Sequence, residues 1–207
     1  MSHLLLALLW IAWCAVHSGT ISVTATEFFK RALGRYYRFY RLFYNLVAVA
    51  TIFPVILYTL SIDSQVLFRW GGFWIVFRVL LLALAGLLFL AGVWHYDMLQ
   101  FLGFRQITTG ASHGPLTESG RLNSSGVFGV TRHPWYLATV ILIWAGYRSC
   151  TTSVLVTNVV LTVYLVVGTV LEERKLVAEI GEEYREYQKK VSMIFPFKWL
   201  RSLGPFR

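Results

Sequence analysis

The sequence predicts an all-α integral membrane protein: about five transmembrane helices, the last two forming a helical hairpin, followed by a C-terminal amphipathic helix. Three observations carry that expectation. Hydrophobic residues make up 57% of the 207, with a mean hydropathy of +0.59, where a soluble domain holds about 45–50% apolar residues. Apolar runs long enough to span recur along the chain, since a helix needs about 20 such residues to cross a hydrocarbon core of about 30 Å. The basic residues are gathered in alternate connections, the pattern that membrane insertion imposes.

The first span covers residues 3–23 and is rich in Leu, Ala and Trp, with His17 and Ser18 near its far end. Residues 28–41, FFKRALGRYYRFYR, interleave Lys30, Arg31, Arg35, Arg38 and Arg41 with aromatic and aliphatic side chains. That mixture suits an interfacial helix, rings at headgroup level and cations toward anionic lipid. The second span, 42–62, contains Pro54, expected to kink rather than end it. The third, 73–94, is apolar except for Arg78, placed to snorkel outward. Residues 95–132 form the longest polar stretch, punctuated by glycines. A long ordered loop in a small domain is usually functional or disordered, so a site is sought there first.

The fourth span opens at Pro134, a favourable first-turn residue, and reaches residue 149, or about 24 Å at 1.5 Å per residue. The fifth covers 154–171. A tight link between them predicts an antiparallel hairpin that brings Arg132 and His133 to Glu172 and Glu173. Adjacent glutamates point about 100° apart on a helix, so one can face the bundle and the other the surface. Residues 172–191 carry Leu176, Ile180, Tyr184 and Tyr187 at spacings of three or four, the pattern of an amphipathic helix folded back along the membrane. The tail from Met193, with Phe195, Phe197 and Trp199, reads as an interfacial anchor. The chain is thus expected to be a single membrane domain, 1–207, with a three-helix part in 1–95 and the loop, hairpin and C-terminal helix in 96–207.

With an external N-terminus, the cytoplasmic connections hold five, three and eight basic residues, sixteen of the nineteen. Arg69, Arg78 and Arg148 remain for the other side. This placement accounts for the net charge of +9 without nucleic acid. Cys14 and Cys150 stand alone, which excludes a disulfide framework and a zinc ligand set, and no metal is expected. The first apolar run has no basic leader and reads as a retained helix.

The stretch SSGVFGVTRHPWYLATVILIWAG, followed by LEERKLVAEIGEEYREYQKKVSMIFP, resembles the C-terminal half of the isoprenylcysteine carboxyl methyltransferase superfamily, which includes bacterial thiol and phospholipid methyltransferases. Three N-terminal features add a narrower resemblance: His17-Ser18, Arg38-x-x-Arg41-x-x-Tyr44-Asn45, and YDMLQFLGFRQ with Tyr96, Asp97 and Gln106. These are similar to bacterial methanethiol S-methyltransferases and to membrane proteins encoded beside nitric-oxide-reducing systems.

The resemblance implies S-adenosylmethionine as cofactor, in a cytoplasm-facing pocket of a bacterial inner-membrane protein. It also implies a small-molecule or lipid-like methyl acceptor, with a thiol sulfur foremost. No strand–GxGxxG–helix unit is present, so a soluble nucleotide-binding fold has nowhere to sit. The cofactor's chemistry then selects side chains. Arg132 offers a fork for its carboxylate, Glu172 or Glu173 can accept from its ammonium or ribose diol, and Tyr136 or Tyr184 can pack on adenine. His133, held extended before Pro134, offers a hydrogen bond. Gly126 and the other loop glycines serve either as turns or as points of close approach, and Gln106 as a polar loop contact. Arg132, Glu173 and His17 are the expected catalytic residues, although an apolar helix more often holds a hydrogen-bonded structural histidine at a position like His17 than one that lines an acceptor tunnel. Two other readings stay open: a membrane reductase using a reduced nicotinamide, and a non-enzymatic scaffold or transporter subunit.

Overall fold

The computed structural model describes residues 1–93, 98–109, 117–118, 121–122 and 124–204. Tyr96, Asp97 and the loop glycines Gly110, Gly114 and Gly120 lie outside the described residues. The long apolar runs are helices: α1 (Ser2–Ile21), α3 (Tyr40–Ser61), α4 (Trp74–Val93) and α8 (Thr152–Ile180) are each long and apolar enough to cross a membrane. Their outer faces are apolar as well: Leu80, Leu87 and Leu90 of α4 are more than 60% exposed. Water does not tolerate a contiguous surface of that kind, and the chain is an all-α membrane protein. Pro54 lies inside α3, which continues through it to Ser61.

The remaining elements correct several expectations. Residues 28–41 are not one interfacial helix. Helix α2 (Val23–Leu33) starts where the Ser22 hydroxyl accepts from Ala25 N–H, and it ends at Gly34. A 3-10 segment, Gly34–Phe39, then leads into α3. The short helices α5 (Met98–Leu102) and α6 (Phe104–Thr109) follow α4. The expected fourth span is α7 (Pro134–Ala145), which begins at Pro134 as the sequence predicts but has only 12 residues, about 18 Å.

Residues 149–151 are not helical. Strand β4 (Ser149–Thr151) pairs antiparallel with β1 (Val66–Arg69), Phe68 opposite Cys150. A second pair joins β2 (Thr117–Glu118) to β3 (Arg121–Leu122). Arg78 does more than reach outward: its Nε and Nη2 donate to the carbonyls of Ala145 and Gly146, both at 2.7 Å. The guanidinium thereby satisfies the carbonyls that α7 leaves orphaned at its C-terminus.

Helix α8 does not stop at Leu171. It runs 29 residues to Ile180, about 43 Å against a core of about 30 Å, so its last two turns outrun the hydrocarbon. The fold-back comes at Gly181, whose φ of 77° is open to glycine and costly for other residues. Helix α9 (Glu182–Lys190) follows, and α10 (Phe197–Leu203) ends the described chain.

Contacts divide the chain into two compact units. One comprises Met1–Arg69, Asp97–His113 and Ser149–Leu161; the other comprises Trp70–Tyr96, Gly114–Arg148 and Thr162–Arg207. In the first, Leu6 and Trp10 of α1 pack on Val55 of α3, and the Trp10 indole donates to the buried Thr59 hydroxyl at 3.3 Å. In the second, Ala85 and Leu88 of α4 pack on Leu137 and Ala138 of α7. One close approach there is at Gly92. A Cβ at this position would lie 1.9 Å from Trp135 Nε1, and that indole is fixed by donating to the Phe89 carbonyl at 3.2 Å. Gly92→Ala is expected to destabilise the protein by about 1–3 kcal/mol through overpacking. Chemical unfolding in detergent measures it, and a variant as stable as the parent would contradict the packing.

Candidate functional site

The site lies in the second unit and begins as a backbone device. Residues 131–133 run alongside 192–194: Thr131 bridges Ser192 in parallel, and the N–H groups of Arg132 and His133 donate to the carbonyls of Ser192 (3.0 Å) and Met193 (3.1 Å). The Thr131 hydroxyl donates to the Ile194 carbonyl at 2.7 Å. Pro134 then opens α7 at its first turn, and the His133 carbonyl accepts the first helical bond, from Leu137. Arg132 and His133 are thus held on a short backbone-paired segment immediately before a helix, their side chains directed at α8.

There they meet Glu173. Arg132 forks onto the carboxylate, Nε to Oε1 at 2.7 Å and Nη2 to Oε2 at 2.6 Å. His133 Nε2 lies 2.9 Å from Oε1; a carboxylate only accepts, so Nε2 carries the proton. The break at Gly181 turns α9 back so that Tyr184 and Gln188, one turn apart, face the same carboxylate. The Tyr184 hydroxyl donates to Oε1 at 2.8 Å and Gln188 Nε2 to Oε2 at 2.6 Å. Arg132 Nη1 donates to the carbonyls of Gln188 and Val191, the groups left bare at the end of α9. Arg132, His133 and Glu173 are each at most 6% exposed. Five hydrogen bonds converge on one buried carboxylate, which is what a buried charge needs to be tolerated.

Around the lock sits an aromatic core of Phe128, Leu176, Tyr184, Tyr187 and Val191. The Tyr187 hydroxyl donates to the Phe128 carbonyl at 2.6 Å, tying α9 to the 3-10 turn Gly126–Gly129. Gly126 opens that turn at φ 58°, so a glycine there is demanded by the backbone itself. Burial pushes both phenols up, and the Glu173 charge raises Tyr184 further, which keeps Tyr184 a hydrogen-bond donor.

Glu172 takes the other direction on α8, as adjacent positions on a helix must. Its side chain is 32% exposed, and its Oε2 is 3.9 Å from His133 Nδ1. Tyr136 stacks on the His133 ring, centroids 5.4 Å apart. The surface beside the lock therefore presents a partly exposed carboxylate and the half-buried Tyr136 ring, backed by the buried His133.

Of the residues singled out from the sequence, Arg132, His133, Pro134, Tyr136, Glu172, Glu173 and Tyr184 come together here. The expected fork from Arg132 to a cofactor carboxylate is not how its guanidinium is engaged: both fork donors are on Glu173. His17 and Gln106 belong to the other unit. There, the Tyr44 hydroxyl is 2.8 Å from His17 Nε2 and Trp13 stacks on the His17 ring. Gln106 Nε2 donates to the Gln100 carbonyl at 3.0 Å. Sequence reasoning missed Gln188, although its spacing of four from Tyr184 puts both on one helix face. It also missed Thr131 and the 192–194 segment, whose roles are those of backbone pairing and leave no side-chain pattern. Among the described residues no group of His, Cys, Asp and Glu is placed to hold a metal ion.

Curated relatives are methyltransferases. The chain is 34% identical over 109 residues to methanethiol S-methyltransferase 1 of Bradyrhizobium diazoefficiens, a match covering 53% of this chain and 36% of that protein. It is 38% identical over 77 residues to the methanethiol S-methyltransferase of Pseudomonas deceptionensis, covering 37% and 29%. The Mycobacterium tuberculosis methanethiol S-methyltransferase is 32% identical over 103 residues, covering 50% and 40%. The matched stretches thus span well under half of these three relatives' length. No solved structure matches the chain. A family model matches residues 24–191, which includes the whole Arg132–Glu173 lock, and the chain accordingly belongs to the family described as "Protein of unknown function (DUF1295)".

Proposed function

We propose that this protein is a membrane-embedded methyltransferase that uses S-adenosylmethionine to methylate a small or lipophilic acceptor, a thiol sulfur foremost. The observation that carries this reading is the Glu173 lock, which fixes a partly exposed carboxylate and an aromatic pair beside it. The distant methanethiol S-methyltransferases support it on independent grounds. The positive-inside count supports a cytoplasmic location for the lock, where the cofactor would be supplied.

The residues present fit such a cofactor. Glu172 can accept from its ammonium or ribose diol, and the Tyr136 ring, already stacked on His133, can pack against adenine. The turn that Gly126 opens places backbone next to the same cluster. Arg132, His133, Glu173 and Tyr184 act as positioning residues, because their polar atoms are spent on one another. When bound, the cofactor supplies an electrophilic methyl group on a sulfonium. The protein's part is then alignment and exclusion of water, and alignment alone can be worth about 7–11 kcal/mol of barrier. A thiol acceptor reacts as its thiolate, which a cation stabilises; Arg174, exposed and next to Glu173 on α8, is the candidate.

Incubating purified protein with methyl-labelled S-adenosylmethionine and a panel of thiols, lipids and amines tests this. A labelled thioether is the expected product. Label in no acceptor, together with saturable binding of a reduced nicotinamide, would turn the assignment to the reductase.

A further inference from the structure

The geometry points to a second binding site, in the first unit, for one anionic phospholipid, with an acyl chain in an aromatic cavity and the phosphate at two arginines on its rim. This inference does not rest on methyl transfer.

The cavity, of about 410 Å³, is enclosed by α1, α2, the 3-10 segment and α3. Its wall is almost wholly apolar, built from rings such as Phe29, Tyr40 and Phe43. The polar groups that reach it are bonded to one another: Tyr44 to His17, Trp13 Nε1 to the Thr51 hydroxyl at 3.1 Å, and the Tyr40 hydroxyl to the Thr20 carbonyl at 2.7 Å. A polar ligand body would have to break these bonds, whereas a hydrocarbon chain leaves them intact. Phe43 and Val16, which line the cavity, are both more than 60% exposed and stand on spanning helices. Entry is therefore from the bilayer, where phospholipid is the solvent.

The rim sets the charge of the head. Arg35 and Arg38 are exposed, and each is stacked on a ring that lines the cavity: Arg35 lies 4.9 Å from the Tyr36 centroid, with Nη2 donating to the Tyr36 hydroxyl at 2.9 Å, and Arg38 lies 4.8 Å from the Phe39 centroid. The stacking holds both cations at the mouth without neutralising them. No acidic residue occurs between Glu27 and Asp63, while Lys30, Arg31, Arg35, Arg38 and Arg41 all fall there. A neutral apolar ligand would leave this charge unmatched, and a free anion would leave the cavity unfilled. An anionic phospholipid satisfies both.

Native mass spectrometry of the full chain, delipidated and offered phosphatidylglycerol or phosphatidylcholine with the same acyl chains, provides the test. One phosphatidylglycerol per chain is expected, retained in preference to phosphatidylcholine by about 30-fold from two headgroup-level cations. Arg35→Gln with Arg38→Gln should abolish the preference, since both side chains are exposed and the fold does not depend on them. Ala48→Trp, which fills the cavity and leaves the charge, should reduce retention of both lipids; if thermal unfolding shows that this variant is not folded, Val47→Phe at the exposed side takes its place. Equal retention of the two lipids by the parent, a preference that survives the arginine changes, or displacement by inorganic phosphate alone would overturn the site.

Discussion

Glu173→Gln is expected to cost about 3–5 kcal/mol of stability, the usual consequence of removing one partner from a buried ion pair. The carboxylate is 6% exposed and accepts from Arg132, His133, Tyr184 and Gln188. An amide of the same size has one acceptor oxygen and a donating NH2 in place of the second. It would leave Arg132 charged and buried without a counter-ion, and would set a donor against a donor at Arg132 Nη2 or at the hydroxyl of Tyr184. Because the same carboxylate joins α8, α9 and the segment before α7, the loss should appear as cooperative loosening of that whole corner. Denaturant unfolding in detergent measures it. Arg132→Met with Glu173→Leu should recover part of the loss, because removing both charges removes the orphan. A Glu173→Gln protein as stable as the parent would mean that the lock does not hold the fold.

One residue earlier, the same substitution should do the opposite. Glu172→Gln is expected to leave stability within about 0.5 kcal/mol of the parent, as is usual for surface changes, because its side chain is 32% exposed and its closest approach to the His133 ring is 3.9 Å. Binding of S-adenosylmethionine should nonetheless weaken by roughly 10- to 150-fold, the worth of a hydrogen bond to a charged group, about 1.5–3 kcal/mol. Equilibrium dialysis with labelled cofactor on the folded variant measures this. Unchanged affinity would remove Glu172 from the proposed site. Opposite outcomes at neighbouring positions would separate the residue that supports the site from the one that meets the ligand.

The spans were legible to within about two residues at most ends. The expected 3–23, 42–62 and 73–94 are found as Ser2–Ile21, Tyr40–Ser61 and Trp74–Val93. The Arg-His-Pro entry to α7 and the divergent directions of Glu172 and Glu173 were legible as well, the first from proline's place in a first turn, the second from the turn angle of a helix. The continuity of α8 through residue 180, in place of a fold-back at residue 172, was not. Charged residues after Leu171 read as the end of a span, yet nothing in them ends a helix, and Leu176 continues the buried stripe until Gly181 breaks it.

Local sequence, then, determined that this is an all-α membrane protein, where its long helices lie and which ionisable residues flank them. The physical reason is that hydropathy, span length and helical phase are properties of consecutive residues, and a bilayer demands that each span satisfy its own backbone. Tertiary structure alone decided which groups those ionisable residues serve, Arg132 on Glu173 rather than open to a ligand and Arg78 on the carbonyls ending α7, and it paired β1 with β4 where only connecting loops were expected. Each of these joins positions from 41 to 85 residues apart. At such separations the pairing is chosen by burial and by the need to satisfy every polar group at once, and neither condition exists until the chain has folded.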